Sequence, residues 1–141
     1  MTSRQFTILI ADRNPHVREL LKRELTDSGY RIHLAKTAQE VVDVAFRSEP
    51  PDLLILDPDL PDNGRLSPLR KLKECAPALP LVLHLHSPDT TAGLEGLLVC
   101  GIIEKTGNSI ENVKKTVAEL FNRRNTSENP PGHRGLAPGP G

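Results

Sequence analysis

The residues that could do chemistry in this chain follow predicted strands, each at the point where a strand gives way to a loop. Asp57 ends the apolar run of residues 53–56, and a loop rich in Pro and Asp follows at once. Similar polar groups follow three other apolar runs: Asp12 and Arg13, His86 and Ser87, and Lys105. Because the carboxyl ends of parallel strands meet at one edge of a sheet, we expect two carboxylates and an amine in one shallow pocket.

Such a pocket suits phosphoryl chemistry. A carboxylate beside a cation is a competent nucleophile toward phosphorus, and a lysine can neutralise a phosphoryl oxygen. Carboxylate oxygens are also the ligands that Mg²⁺ prefers. His84 and His86 share one face of a predicted strand, but no further His or Cys is placed to complete a metal site with them. We therefore interpret these two histidines as surface or partly buried groups.

Strands and helices alternate along the chain. Strands are predicted at residues 6–11, 30–34, 53–56, 81–85 and 102–103, and the N-terminal ends of four helices near Asn14, Thr37, Ser67 and Asn108 or Ser109. A fifth helix is predicted at residues 88–98, where Gly93 and Gly96 weaken it. Alternation with short connections implies right-handed crossovers. The sequence therefore predicts an α/β fold, a doubly wound five-stranded parallel sheet with five helices.

Composition narrows the class of protein. The 18 basic and 18 acidic residues of the 141-residue chain cancel, and only four residues are aromatic, so we expect no nucleic-acid binding by this domain. No apolar run approaches membrane-spanning length, and the two cysteines lack metal-type spacing. We expect a cytoplasmic protein that does not enter membranes. Residues 1–124 are predicted to form one domain, and the Pro- and Gly-rich residues 125–141 a disordered tail or linker.

The motifs resemble those of response regulator receiver domains of two-component signalling. The resemblance covers residues 6–124 and is carried by residues 8–12, by residues 51–57 with Leu60, Pro61 and Gly64 beyond them, and by Lys105. It implies the flavodoxin-like strand order 2-1-3-4-5. It also implies that Asp57 accepts a phosphoryl group from a sensor histidine kinase, that Asp12, Asp57 and the backbone carbonyl of Asp59 hold Mg²⁺, and that Lys105 contacts the phosphoryl oxygens. A downstream protein partner and a homodimer are further implied.

Three positions depart from the receiver pattern. Arg13 stands where receivers carry a second acidic residue, Leu85 where they carry Thr or Ser, and Ile102 where they carry Tyr or Phe. Because arginine offers donors and no lone pair, we expect weak Mg²⁺ binding. Our hypothesis is that Arg13 folds over Asp12 and Asp57 and mimics the missing cation.

Three functions stay open. The first is a phosphorelay receiver, which is not an enzyme. The second is a pseudo-receiver, a protein-interaction module that acts without phosphorylation, as the departures at Arg13, Leu85 and Ile102 favour. The third is a phosphatase, because Asp57-Pro58-Asp59 resembles the nucleophile motif of haloacid-dehalogenase-like enzymes. That motif is only three residues long, and two β-α units precede it here, whereas those enzymes start with that strand.

Overall fold

A computed structural model describes residues 5–47, 49–61, 68–87 and 95–128 of the chain. Within them five parallel strands form one sheet in the order β2-β1-β3-β4-β5. The strands are β1 (Thr7–Ala11), β2 (Arg31–Ala35), β3 (Leu53–Leu56), β4 (Leu81–Leu85) and β5 (Val99–Glu104). The predicted fold class and strand order are confirmed.

The described residues also contain four helices: α1 (Pro15–Asp27), α2 (Ala38–Ala45), α3 (Pro68–Cys75) and α4 (Ser109–Glu128). The fifth predicted helix falls on residues 88–98, of which 88–94 lie outside the described residues, and 95–98 form no helix. Helix α4 continues four residues past the predicted domain boundary at 124. The boundary itself stays a prediction. No described helix combines the length and apolar character that crossing a bilayer requires.

The sheet separates two apolar layers, as the alternation of side chains along each strand requires. Helices α2 and α3 cover one face, where Leu54 and Leu56 pack with Val41, Val44 and Leu72. Helices α1 and α4 cover the other face, where the buried residues are Ile8, Ile10, Leu21, Leu25, Ile55, Val82, Val113 and Val117. Because β1, β3 and β4 are buried on both faces, their interior side chains are apolar except for His84, and the charged residues follow the strand ends.

Capping residues mark the N-terminal ends of the first two helices. The Asn14 side chain accepts hydrogen bonds from the backbone N–H groups of His16 and Val17, at 2.8 and 3.3 Å, and Pro15 is the first helical residue. Thr37 caps α2 by accepting from the Glu40 N–H at 3.2 Å. The cap at Asn14 also fixes the loop that joins β1 to α1.

Candidate functional site

Asp12, Asp57 and Lys105 meet at the carboxyl edge of the sheet. The Lys105 Nζ lies 3.0 Å from Asp12 Oδ2 and 3.3 Å from Asp57 Oδ2. The three side chains are almost fully enclosed, with 8% of Lys105, 2% of Asp12 and 0% of Asp57 exposed. They reach this point from the ends of β5, β1 and β3, and β1 and β3 are neighbours in the sheet. The predicted juxtaposition is therefore present, while the role of each residue stays a prediction.

Backbone hydrogen bonds set the position of Asp57 and Lys105. The Asp57 N–H donates to the Ala11 carbonyl at 2.8 Å, and the Lys105 N–H donates to the Leu85 carbonyl at 2.7 Å. Each residue thus extends the strand ladder by one bond before its loop begins. The Asp59 N–H then donates to Asp57 Oδ1 at 3.0 Å, which leaves Asp57 Oδ2 facing the cations. The amine and the carboxylates are held by the sheet itself.

Asp12 is held from two sides. The Asn14 N–H donates to Asp12 Oδ1 at 2.9 Å, and the buried Arg18 donates from Nη1 to the Asp12 carbonyl at 2.7 Å. Burial raises the pKa of the Asp12 carboxyl, while the Asn14 N–H and Lys105 oppose that rise. Sequence reasoning missed Arg18. Its signal was available, because residues 18, 21 and 25 share the helical face that α1 buries.

Arg13 lies over the pocket. Its Nε is 3.5 Å from Asp57 Oδ2, and its Nη2 is 3.5 Å from Asp59 Oδ2. The contact with Asp57 agrees with our hypothesis, but the second described carboxylate partner is Asp59, where we expected Asp12. The Arg13 side chain is 45% exposed, so the guanidinium forms the solvent-facing side of the site.

The two other departures from the receiver pattern differ in their surroundings. Leu85 is fully buried in the layer under α2 and α3, so an apolar side chain packs where receivers carry a hydroxyl. Ile102 lies on the edge strand β5 and is 50% exposed. Neither side chain can donate a hydrogen bond to a group on Asp57. Ser87 and His86 follow β4, and His86 is exposed.

His84 corrects one expectation. We predicted a surface or partly buried side chain, but His84 is only 1% exposed. Its Nε2 lies 2.9 Å from the Ser109 hydroxyl, at the start of α4. Burial, reinforced by the charge of Lys105, lowers its pKa to about 4. His84 is therefore neutral near pH 7. Its contact with Ser109 joins β4 to α4, the helix that follows the loop of residues 105–108.

The acidic residues of the pocket do not fit Mg²⁺ as the structure arranges them. Among the described residues, no three His, Cys, Asp or Glu side chains lie close enough together to hold a metal ion. Lys105 already contacts Asp12 and Asp57, and Arg13 contacts Asp57 and Asp59. A divalent cation would have to displace both of these cations or lie beside them. The predicted contribution of the Asp59 backbone carbonyl stays a prediction.

Comparison with known proteins supplies the family. The family model of the response regulator receiver domain matches residues 8–115. The chain is 34% identical over 90 residues to the response regulator MprA of Mycolicibacterium vanbaalenii, which covers 64% of this chain and 38% of that protein. MprA of Mycobacterium avium is 36% identical over 90 residues, with 64% and 39% covered. The chain thus spans less than half the length of these relatives.

Solved structures agree with this fold. The response regulator TrrA of Thermotoga maritima, solved in complex with Mg(2+)-BeF, superimposes with a TM-score of 0.68 at 28% identity, and the match covers 82% of this chain and 99% of that one. The N-terminal domain of a response regulator/sensory box/GGDEF protein from Carboxydothermus hydrogenoformans gives a TM-score of 0.71 at 16% identity, covering 87% and 99%. The second likeness supports the fold alone.

Proposed function

The chain belongs to the response regulator receiver domain family of two-component signalling, and we propose that its Asp57 accepts a phosphoryl group from a sensor histidine kinase. One observation carries the proposal: a single amine, Lys105 Nζ, lies within 3.3 Å of the carboxylates of both Asp12 and Asp57. A buried cation between two acids offers a positive charge to an incoming phosphoryl group.

The transfer itself is an exchange at phosphorus. A carboxylate oxygen of Asp57 forms the new P–O bond, the P–N bond of the donor phosphohistidine breaks, and the departing imidazole takes a proton from water. Lys105 then contacts a phosphoryl oxygen as a point charge. Because the Asp57 side chain is fully enclosed and Arg13 contacts it from the solvent side, the guanidinium must move aside during transfer.

The wider proposal follows the family. Receiver domains are signalling modules rather than classical enzymes, and we propose that a surface of this domain reports the state of Asp57 to a downstream protein in the cytoplasm. Pairing with a second copy of the chain belongs to the same proposal. So does a division into a receiver domain at residues 1–124 and a tail at 125–141. We propose no contact of this domain with nucleic acid or membranes, and only weak binding of Mg²⁺.

Intact-mass spectrometry tests the proposal. The full chain is incubated with acetyl phosphate, with and without Mg²⁺, and weighed over time. Wild type is expected to gain the mass of one phosphoryl group, and Asp57→Asn is expected to gain none. A mass gain that is equal in both proteins would contradict the role of Asp57.

A second candidate, the pseudo-receiver, has its own support. Leu85 is fully buried and has no hydroxyl, and Arg13 already neutralises part of the charge on Asp57. Such a module binds its partner with Asp57 unmodified. Absence of any mass gain, with acetyl phosphate or with a cognate kinase, would favour this candidate. The match to the receiver family over residues 8–115 argues against the phosphatase alternative.

A further inference from the structure

We infer that the Arg13 guanidinium is a cation that the chain itself brings to the Asp57 pocket and that it takes the place of a divalent metal. Arg13 follows Asp12 directly in the chain, and its side chain brings a positive charge to the pocket that Asp12 and Asp57 form. The inference makes the site independent of Mg²⁺. Its bearing on phosphoryl transfer rests on the proposed function, but its bearing on metal binding does not.

The contacts of Arg13 span two acids. Nε lies 3.5 Å from Asp57 Oδ2, and Nη2 lies 3.5 Å from Asp59 Oδ2. A guanidinium presents several N–H donors in one rigid plane, so one side chain can face both carboxylates that closely follow β3. Arg13 thereby pairs with Asp57, one of the two carboxylates predicted to hold Mg²⁺, and brings no lone pair that a metal could use.

The backbone on both sides of Arg13 is fixed. The Asp12 carbonyl accepts from Arg18 Nη1 at 2.7 Å, and the Asn14 N–H donates to Asp12 Oδ1 at 2.9 Å. Asn14 also caps α1 through its own side chain. The loop therefore delivers the guanidinium to the pocket without depending on Asp57, although the tip of the side chain can still swing outward.

The balance of charge argues in the same direction. Among the described residues, the carboxylates of Asp12, Asp57 and Asp59 face the cations Lys105 and Arg13, which leaves one net negative charge. A divalent cation added beside them would make the cluster net positive. Replacing Arg13 by Asp would make the cluster more negative by two charges and add an oxygen ligand, so Mg²⁺ affinity should rise steeply.

The same guanidinium is suited to a phosphorylated pocket. Planar N–H donors pair well with phosphoryl oxygens, and a phosphoryl group on Asp57 adds negative charge at the place that Arg13 already faces. Lys105 would contact the group from the buried side and Arg13 from the solvent side. Two cations of the chain itself would then face the phosphoryl oxygens.

Calorimetric titration with Mg²⁺ is the test. The full chain is compared as wild type, as Arg13→Asp and as Arg23→Asp, the last a matched control with the same charge change near the far end of α1. Arg13→Asp is expected to bind Mg²⁺ at least about tenfold more tightly than wild type, which corresponds to about 1.4 kcal/mol, and Arg23→Asp to match wild type. Equal affinity in wild type and Arg13→Asp would overturn the inference, as would an equal gain in both variants.

A second measurement separates this inference from the proposed function. Wild type is treated with acetyl phosphate in excess EDTA or in Mg²⁺, so that a P–O bond forms on Asp57 and acetate leaves. Equal mass gain in both conditions supports the inference, and a gain confined to Mg²⁺ overturns it while leaving Asp57 as the acceptor. If neither condition gives a mass gain, the proposed function fails, and the calorimetry still decides the role of Arg13.

Discussion

Two aspartates flank the same strand, and their surroundings differ in kind. Asp52 precedes β3 at the amino edge of the sheet, where it accepts from the Thr7 N–H at 2.8 Å and pairs with Arg124 at 3.2 Å. Asp57 follows β3 at the carboxyl edge, where it faces Lys105, Arg13 and a second carboxylate, Asp12. The first arrangement joins α4 to β1 and β3, and the second gathers like charges that two cations and two backbone N–H groups hold together.

The difference shows that aspartates at the two ends of one strand can have different roles. At Asp52 the contacts stabilise the fold, because each partner belongs to a helix or a strand. At Asp57 the side-chain contacts come from loops after β1, β3 and β5, and the acids repel one another. Such a cluster of like charges costs stability, and clusters of that kind are common at functional sites. We therefore expect a functional role for Asp57 at the carboxyl edge and a structural role for Asp52 at the amino edge.

Replacing each aspartate by asparagine should give opposite results. Asp57→Asn should lose all phosphorylation by acetyl phosphate and change the free energy of unfolding by less than about 1 kcal/mol, since it relieves repulsion with Asp12. Asp52→Asn should phosphorylate like wild type and lose about 1–2 kcal/mol of stability, because the acceptor of the Thr7 N–H loses its charge and the ion pair with Arg124 is lost. Urea unfolding and intact mass measure the two effects. Loss of phosphorylation in both variants would break the comparison.

Replacing the cation that pairs with each aspartate should also give two different results. Lys105→Met should slow phosphorylation about 100-fold, because it removes a preorganised charge from the place where the phosphoryl oxygens would lie. Arg124→Met should leave the rate unchanged and cost about 1 kcal/mol of stability, through the lost contacts with Asp52 and with the Phe6 ring, whose centroid lies 5.5 Å from Arg124 Cζ. Equal rates in the two variants would show that Lys105 has no part in the transfer.

Lowering the pH should reduce the stability of the folded chain through His84. Its pKa in the folded chain is about 4, below the ordinary 6.5, so the unfolded chain binds more protons between these pH values. Stability is then full above pH 6.5 and falls as the pH is lowered toward 4. Lys105, Asp57 and His86 are the charged or titratable neighbours that act on it.

We expect wild type to lose about 2 kcal/mol of stability through His84 between pH 7 and pH 5. His84→Leu should show a smaller loss over this range, whereas His86→Leu, which removes the smallest of the influences on the His84 pKa, should lie close to wild type. Urea unfolding at the two pH values measures the difference. An identical pH dependence in wild type and His84→Leu would contradict the assignment.

The smallest expected effect compares two glycines. Gly29 lies between α1 and β2 with φ of 100°, so Gly29→Ala should cost about 1 kcal/mol of stability and leave phosphorylation unchanged. Gly107 lies in the loop between β5 and α4, and no described residue beyond its two chain neighbours comes within 4 Å of the place where a Cβ would be. Gly107→Ala should change stability by less than about 0.5 kcal/mol. Larger destabilisation at Gly107 than at Gly29 would reverse this part of the comparison.

Much of the fold and of the pocket could be predicted from the sequence, because simple periodicities determine them. Apolar runs that end in Asp12, Asp57 and Lys105 fix which residues reach the carboxyl edge once the strands are parallel. The Asn14-Pro15 and Thr37 signals placed two helix starts for the same local reason. These features depend on nearest neighbours along the chain.

Other features depend on packing between elements and were missed. His84 alternates with Val82 on a strand buried on both faces, so it had to be buried, yet its partner Ser109 is 25 residues away. Arg18 shares a helical face with leucines but reaches back to a backbone carbonyl. The pairing of Arg13 with Asp59 rather than Asp12 depends on side-chain rotamers, for which no sequence pattern exists.

The most direct measurement locates the phosphoryl group. Wild type treated with acetyl phosphate is reduced with borohydride, which converts an aspartyl phosphate into a stable alcohol, and is then digested and mapped by tandem mass spectrometry. The predicted result is modification at Asp57 and none at Asp52 or Asp59. Modification at another aspartate, with Asp57 unchanged, would contradict the assignment of the Lys105-bridged pocket as the acceptor site.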